Sequence, residues 1–224
     1  VTRFHPISPQ HLVAQLVDLA ISRHPGSHPL RFGFDAPRCA ETSALVGGVA
    51  QGLIAAGTPA AIVQAGNFYR DASLRFEYGK TDLESFYSGW LDVNALQREV
   101  LVPLGGGDGR SVLGGDRPAA LADSTYLPSL RDPVTNRSSR AMPASLAANG
   151  VLLLSGELLL GIGLTFDLTV HFWVSRQARI RRTAAEWAWT LPALDRYDIE
   201  VDPVSIADVV LRYDDPEHPA IFVR

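Results

Sequence analysis

Two apolar runs, Val151-Leu152-Leu153-Leu154 and Leu168–Val174, are bounded by turn-forming residues. Strands of this kind are buried on both faces, and such burial requires helices packed on either side of a parallel sheet. The rest of the chain supplies the helices. Ser8-Pro9 is an oxygen cap followed by a proline at the first helical position, and Leu12, Val13, Leu16, Leu19 and Ala20 mark one apolar face to Ser22. Leu30–Phe34 reads as a strand ending at Asp35-Ala36-Pro37, and Ser43–Ala56 as a helix stopped by Gly57-Thr58-Pro59. Ala60–Gln64 is a second strand, Asp82–Val102 a helix capped by Asp82, and Ala120–Tyr126 a further strand. A basic helix over Arg176–Ala188 and a strand over Ala207–Leu211 complete the pattern. Strands alternating with helices predict an α/β, doubly wound, mostly parallel sheet.

A chain of 224 residues, 46% hydrophobic and 20% charged, is expected to form one domain over 1–224, with helix 8–22 as an accessory element. A net charge of −4 argues against nucleic acid as a partner. The single cysteine, Cys39, excludes an internal disulfide framework. Nineteen arginines stand against one lysine, so any mechanism needing a catalytic lysine has Lys80 as its sole candidate. No apolar run precedes residue 11, and Val151–Leu164 is interrupted by Glu157 and too short to span a bilayer. These features lead to the expectation of a cytoplasmic protein without membrane contact. Six glycines between Gly105 and Gly115, with Asp108 and Asp116, read as a loop.

The strand–turn–helix at 31–56 is the setting of a phosphate-binding loop. In G-x-x-x-x-G-K-[ST], glycines let backbone N–H groups approach the phosphates, the lysine neutralises them and the hydroxyl holds magnesium. The corresponding stretch here is Ala36-Pro37-Arg38-Cys39-Ala40-Glu41-Thr42-Ser43, in which only Ser43 fits. Ala36 and Glu41 replace the glycines and Thr42 the lysine, and Glu41 brings a carboxylate towards a polyphosphate position.

Other segments add to this, in order: Asn67-Phe68-Tyr69-Arg70, Tyr78-Gly79-Lys80 with Asp82, Val151–Gly156 and Phe166–Val170. After them come the basic helix Arg176–Arg182, Trp189-Thr190-Leu191-Pro192, Arg196-Tyr197-Asp198, Ala207–Val210 and Asp214-Asp215-Pro216. In order and spacing over about 30–222 the chain resembles the uridine kinases of high-GC bacteria. The resemblance implies a P-loop kinase fold, with a five-stranded parallel sheet, flanking helices and a lid. It implies ATP and magnesium as cofactors of an active member, and a nucleoside or nucleotide as the small-molecule ligand. The departures fall on the family's catalytic positions. Where the family places a base for the nucleoside hydroxyl, the chain has Gly66 followed by Asn67. Where a carboxylate helps hold magnesium, it has Ser155, with Glu157 two places on as a substitute. Phosphoryl transfer rests on positioning and charge neutralisation, so four such losses remove most of the machinery.

The resemblance also places nucleoside contacts at Tyr69, Asp132, Arg137 and Arg140, and lid contacts at Arg176, Arg179 and Arg182; the plain alternative is a solvated arginine face. No metal-ligand spacing occurs among the histidines, and no metal site is expected. His171, inside an apolar strand, reads as a hydrogen-bonded core residue, and Trp187 and Trp189 as core anchors. Cys39, near a helix N-terminus, is a candidate for a lowered thiol pKa. Three readings stay open: a pseudokinase that binds an anionic or nucleoside-like ligand, an active ATP-dependent nucleoside kinase, and a non-catalytic interaction module. Homo-oligomerisation is compatible with each.

Overall fold

A computed structural model describes residues 4–105 and 124–224. The glycine-rich stretch from Gly106 and the first part of the strand expected from Ala120 lie outside the described residues. The strands are β1 (His5–Pro6), β2 (Leu30–Asp35), β3 (Ala60–Gln64), β4 (Ser124–Tyr126), β5 (Ala144–Leu146), β6 (Val151–Gly156), β7 (Leu168–Trp173), β8 (Val209–Arg212) and β9 (Ala220–Val223). The helices are α1 (Pro9–Ser22), α2 (Ser43–Ala55), α3 (Ala72–Arg75), α4 (Val93–Leu96), α5 (Val102–Leu104), α6 (Arg176–Arg182), α7 (Leu191–Glu200) and α8 (Pro203–Ile206).

The main sheet has the order β1-β9-β8-β7-β2-β6-β3. Its members β8-β7-β2-β6-β3 are parallel, as expected from the apolar runs. Two antiparallel strands, β9 and β1, extend the edge beyond the expected five. They are short, and β9 depends on the turn at 213–219 folding it back on β8. A hairpin of β4 and β5 stands apart from the sheet.

Alternate residues of one strand feed opposite layers. Val151 and Leu153 of β6 pack with Phe32, Phe34 and Phe172 against α1 and α2, whereas Leu152 and Leu154 meet Phe68, Leu96, Leu101 and Leu104 on the other face. Helix α1 starts where its cap predicts, with His11 N donating to Ser8 Oγ at 3.3 Å. It lies close on α2 because Gly52 has no side chain: a Cβ there would stand 2.8 Å from Val17 Cγ2.

Two expected helices are shorter than their patterns. The segment 82–102 is not continuous: a wide turn at Ser85–Gly89 is followed by a break before α4. Asp82 does cap it, accepting Ser85 N at 2.7 Å. The break arises because Arg70 N donates to Trp90 O and Asp92 N to Phe68 O, drawing the backbone into an extended crossing. Asp92 then restarts the helix by accepting Ala95 N at 2.9 Å. The basic helix ends at Arg182 rather than Ala188, since Thr183 is extended and Ala185–Thr190 forms a 3-10 turn. Helix α7 follows it, burying Ala193, Leu194 and Tyr197.

A buried polar knot ties these layers together. Asp35, at the end of β2, is 1% exposed. Its Oδ2 meets His171 Nδ1 at 2.7 Å and accepts Tyr197 Oη–H at 3.1 Å, while Oδ1 accepts Leu159 N at 2.9 Å. Tyr197 Oη also accepts Leu160 N at 2.9 Å. One carboxylate thus joins β2, β7, α7 and the loop after β6. Tyr197→Phe keeps the ring and removes the bridging oxygen, leaving Leu160 N without that acceptor. The expected cost is about 1–3 kcal/mol, a fall in Tm on the order of 3–10 °C for a chain this long. Thermal unfolding followed by circular dichroism checks it; an unchanged Tm would show that the knot is not a stability determinant.

Candidate functional site

In open α/β sheets ligands lie beyond the carboxyl ends of the strands, where connections diverge to either side. Here β2 is flanked by β6 and β7, and the loop 36–42 leaves its carboxyl end to enter α2. Beside this loop is an open cavity of about 330 Å³ lined by Ala36, Arg38, Glu41, Thr42, Ser43, Gln64, Gly66, Asn67, Tyr69, Ser155 and Glu157. The four phosphate-loop positions, Ala36, Glu41, Thr42 and Ser43, are therefore brought together with the degenerate positions Gly66, Asn67 and Ser155 and with the substitute carboxylate Glu157.

The loop between β2 and α2 is filled from within. Arg38–Ala40 forms a single 3-10 turn, and Glu41 sits at φ +52°, the left-handed backbone that a glycine adopts more readily. Arg38 N donates to Glu157 Oε1 at 2.6 Å, and the Arg38 guanidinium reaches Glu157 Oε2 at 3.2 Å. The same guanidinium lies over the Trp187 ring, 3.7 Å from its centroid. A carboxylate thus takes a backbone donor of the loop, and the cation of the loop is held by that carboxylate and an indole. Ser155 Oγ donates to Gln64 Oε1 at 2.9 Å.

Burial pushes the Glu157 carboxyl above the usual glutamate range, against the opposing pull of Arg38. Burial, reinforced by the Glu157 charge, raises the Tyr69 hydroxyl to about 12. Cys39 does not have the lowered thiol pKa expected of it. It is buried, and desolvation raises it, outweighing the Thr183 hydrogen bond and the charge of Arg182.

The remaining expected residues are elsewhere. Asp132 Oδ1 accepts Val134 N and Thr135 N in its own turn, and these bonds hold its carboxyl below the usual aspartate range. Arg137 and Arg140 are exposed and line neither this cavity nor the one described next; only Pro133 of their loop reaches the loop cavity. The arginines expected in a lid have partners within the protein. Arg179 is buried and pairs with Asp198 at 2.5 Å and Asp195 at 3.4 Å, and Arg176 pairs with Asp195 at 3.1 Å. Arg182 donates to Tyr213 O at 2.8 Å. These arginines dock α6 onto α7 and the β8 end. Lys80 is exposed in a turn and lines neither cavity.

A second cavity, of about 290 Å³, adjoins the first through Tyr69 and Glu157 and is walled by Phe86, Tyr87, Trp90, Leu158, Ile162 and Tyr197. Sequence reading misses it. Its aromatics come from the broken segment 82–102 and from α7, and no single periodicity links them. Gly161, at φ +75°, lets the loop after β6 close over Val201, where a Cβ would stand 2.7 Å from Val201 Cγ1.

No family model and no curated protein sequence matches the chain. Among solved structures it is similar to one described as a "possible uridine kinase" from Bacillus stearothermophilus, with 16% identity and a TM-score of 0.63 over 88% of this chain and 96% of that one. It is also similar to a "putative fructose transport system kinase" from Silicibacter sp. TM1040, with 17% identity and a TM-score of 0.56 over 83% and 88%. The fold is that of the P-loop kinases. No helix among the described residues is long and apolar enough to cross a membrane.

Glu157→Gln tests the internal carboxylate. The side-chain amide keeps an oxygen for Arg38 N and removes the charge. Because folding raises this pKa above its ordinary value near 4.5, ionised Glu157 subtracts stability, and the loss grows as pH rises through the folded-state value. The variant is expected to match or exceed the parent Tm at about pH 7.5, with the difference closing towards pH 4. A drop of several degrees at neutral pH would mean that the pairing with Arg38 dominates instead.

Proposed function

We propose that this protein is a P-loop-kinase-fold module that binds a small molecule without ordinary ATP-dependent phosphoryl transfer. The observation that carries the reading is the Glu157 carboxylate seated on Arg38 N, inside the loop that would otherwise receive phosphate. ATP with magnesium does not fit these residues. The loop and its filling side chain offer two carboxylates, Glu41 and Glu157, no lysine, and one arginine already paired, so a polyphosphate meets repulsion where an active kinase supplies cations. With Ser155 and Gly66 at the positions of the metal carboxylate and the base, the residues present support no step of phosphoryl transfer. The likeness of fold to the two kinases supports small-molecule binding in the cleft. The exposed positions of Arg137 and Arg140 turn the search for the ligand from those arginines to the cleft.

Millimolar ATP with magnesium is expected to leave Tm within about 1 °C, since stabilisation by a ligand requires a concentration well above Kd. A rise of several degrees in differential scanning fluorimetry would overturn the reading. Glu41→Gly with Thr42→Lys removes one carboxylate, relieves the left-handed strain and adds the missing cation. Calorimetry is expected to show ATP affinity appearing in this pair and rising further when Glu157→Gln is added. No gain in the triple variant would show that the loop is not what limits binding.

One observation favours an active kinase instead: Ser43 stands in the hydroxyl position and lines the open cavity. Transfer of labelled phosphate from ATP to uridine would establish that second reading.

A further inference from the structure

We propose that the 290 Å³ cavity beside Glu157 binds an arylalkylamine, an aromatic ring joined by a short chain to one ammonium group. The inference rests on the reading of the protein as a small-molecule binder without phosphoryl transfer, and it names the class of ligand. Charge is the first argument. Among the described residues lining this cavity, Glu157 alone carries a formal charge. Its partner Arg38 lines the loop cavity and not this one. The carboxylate therefore has no cation opposite it on these walls.

The desolvation of that carboxylate is incompletely offset. Its side chain is 10% exposed, and burial pushes its carboxyl up although Arg38 gives it a backbone N–H and a guanidinium. A cation arriving from the second cavity would favour the ionised form, and a charge-assisted bond is stronger than a neutral one. An anion would instead meet Glu157 with no lining cation to offset the repulsion. The Tyr69 hydroxyl is at the same junction of the two cavities, and burial raises it to about 12. It therefore stays protonated, able to accept from an ammonium N–H or to donate to a ligand oxygen. Hydroxyl groups on the ligand are compatible with this wall; the ammonium is what sets the class.

The remaining walls suit a ring. Phe86 and Trp90 meet edge to face, with centroids 5.2 Å apart, and Leu158 and Ile162 add aliphatic surface. A buried space of ~150 Å³ takes a benzene ring, so this cavity has room for a ring and a chain of about two or three carbons. With the ring among these side chains and the chain directed to Glu157, the apolar walls and the carboxylate are satisfied by one molecule.

Phenethylamine has this chemistry; phenethyl alcohol keeps the ring and chain without the charge, and phenylacetate reverses the charge. In calorimetry and ligand-observed NMR on the full chain at neutral pH, phenethylamine is expected to bind with Kd of about 0.1 mM, within the efficiency open to a small ligand. The alcohol should bind at least tenfold more weakly, and phenylacetate more weakly still. Glu157→Gln should bring the amine down to the affinity of the alcohol and leave the alcohol itself unchanged. Ile162→Trp and, independently, Ser88→Trp fill the cavity from half-buried and exposed positions, and each should weaken the amine at least tenfold with Tm preserved. The alcohol and the acid test the charge on the parent chain, so the proposal stays open to refutation even if a variant fails to fold. Absent amine binding, equal or tighter binding of the alcohol or of phenylacetate, or an amine affinity untouched by Glu157→Gln or by both filling variants would each overturn it. Phosphate transfer from ATP to uridine would overturn the non-catalytic reading instead, so the two failures are distinguishable.

Discussion

Asp35 is the constraint on which the rest of the site depends. A carboxylate taken from water into an apolar layer must have its lone pairs met, and here the partners come from three separate pieces of chain. His171 is on the next strand across, Tyr197 lies on a helix 162 residues away, and Leu159 belongs to the loop after β6. Satisfying one buried carboxyl group therefore sets the height of α7 above the sheet and the course of the loop that carries Glu157 and Leu158. Both cavities inherit their walls from that arrangement.

The loop after β2 leads from a strand into α2, the setting in which phosphate-binding loops occur. Such a loop exposes backbone N–H groups to an anion, and an exposed donor beside a low-dielectric cleft favours negative charge. In this chain the negative charge is a side chain. Glu157 supplies it at the mouth of β6, Arg38 balances it, and Trp187 covers the guanidinium. The arginines of α6 take part in packing: Arg179 is buried against Asp195 and Asp198, and Arg182 closes on the carbonyl of Tyr213.

Much of the frame is legible in the residues. The apolar runs of β6 and β7 predict a parallel sheet covered on both faces, and Ser8-Pro9 and Gly57 mark helix ends, because these signals are local. The apolar neighbours of His171 place it in the core, where it lies. Sequence patterns mislead where local and distant partners compete. Asp82–Val102 has the composition of one helix, yet Trp90 and Asp92 give their backbone bonds to Arg70 and Phe68. Arg137 and Arg140 are expected as ligand contacts from the resemblance to the uridine kinases, not from a local pattern. Asp132 takes up its own turn instead, and both arginines are left in solvent.

Residues adjacent in the chain suffice to set the alternation of strands and helices, the strand–loop–helix path at 30–55 and the lack of a lysine in the loop, since periodicity, caps and residue type are properties of neighbours. Packing in three dimensions was needed to bring Glu157 into that loop and to enclose a second cavity with Phe86, Trp90, Ile162 and Tyr197. Arg38 and Glu157 stand 119 positions apart, and the cavity walls cross between layers. Such partners are chosen by which buried charges and orphan donors can be satisfied at once, a condition that no short stretch of sequence contains.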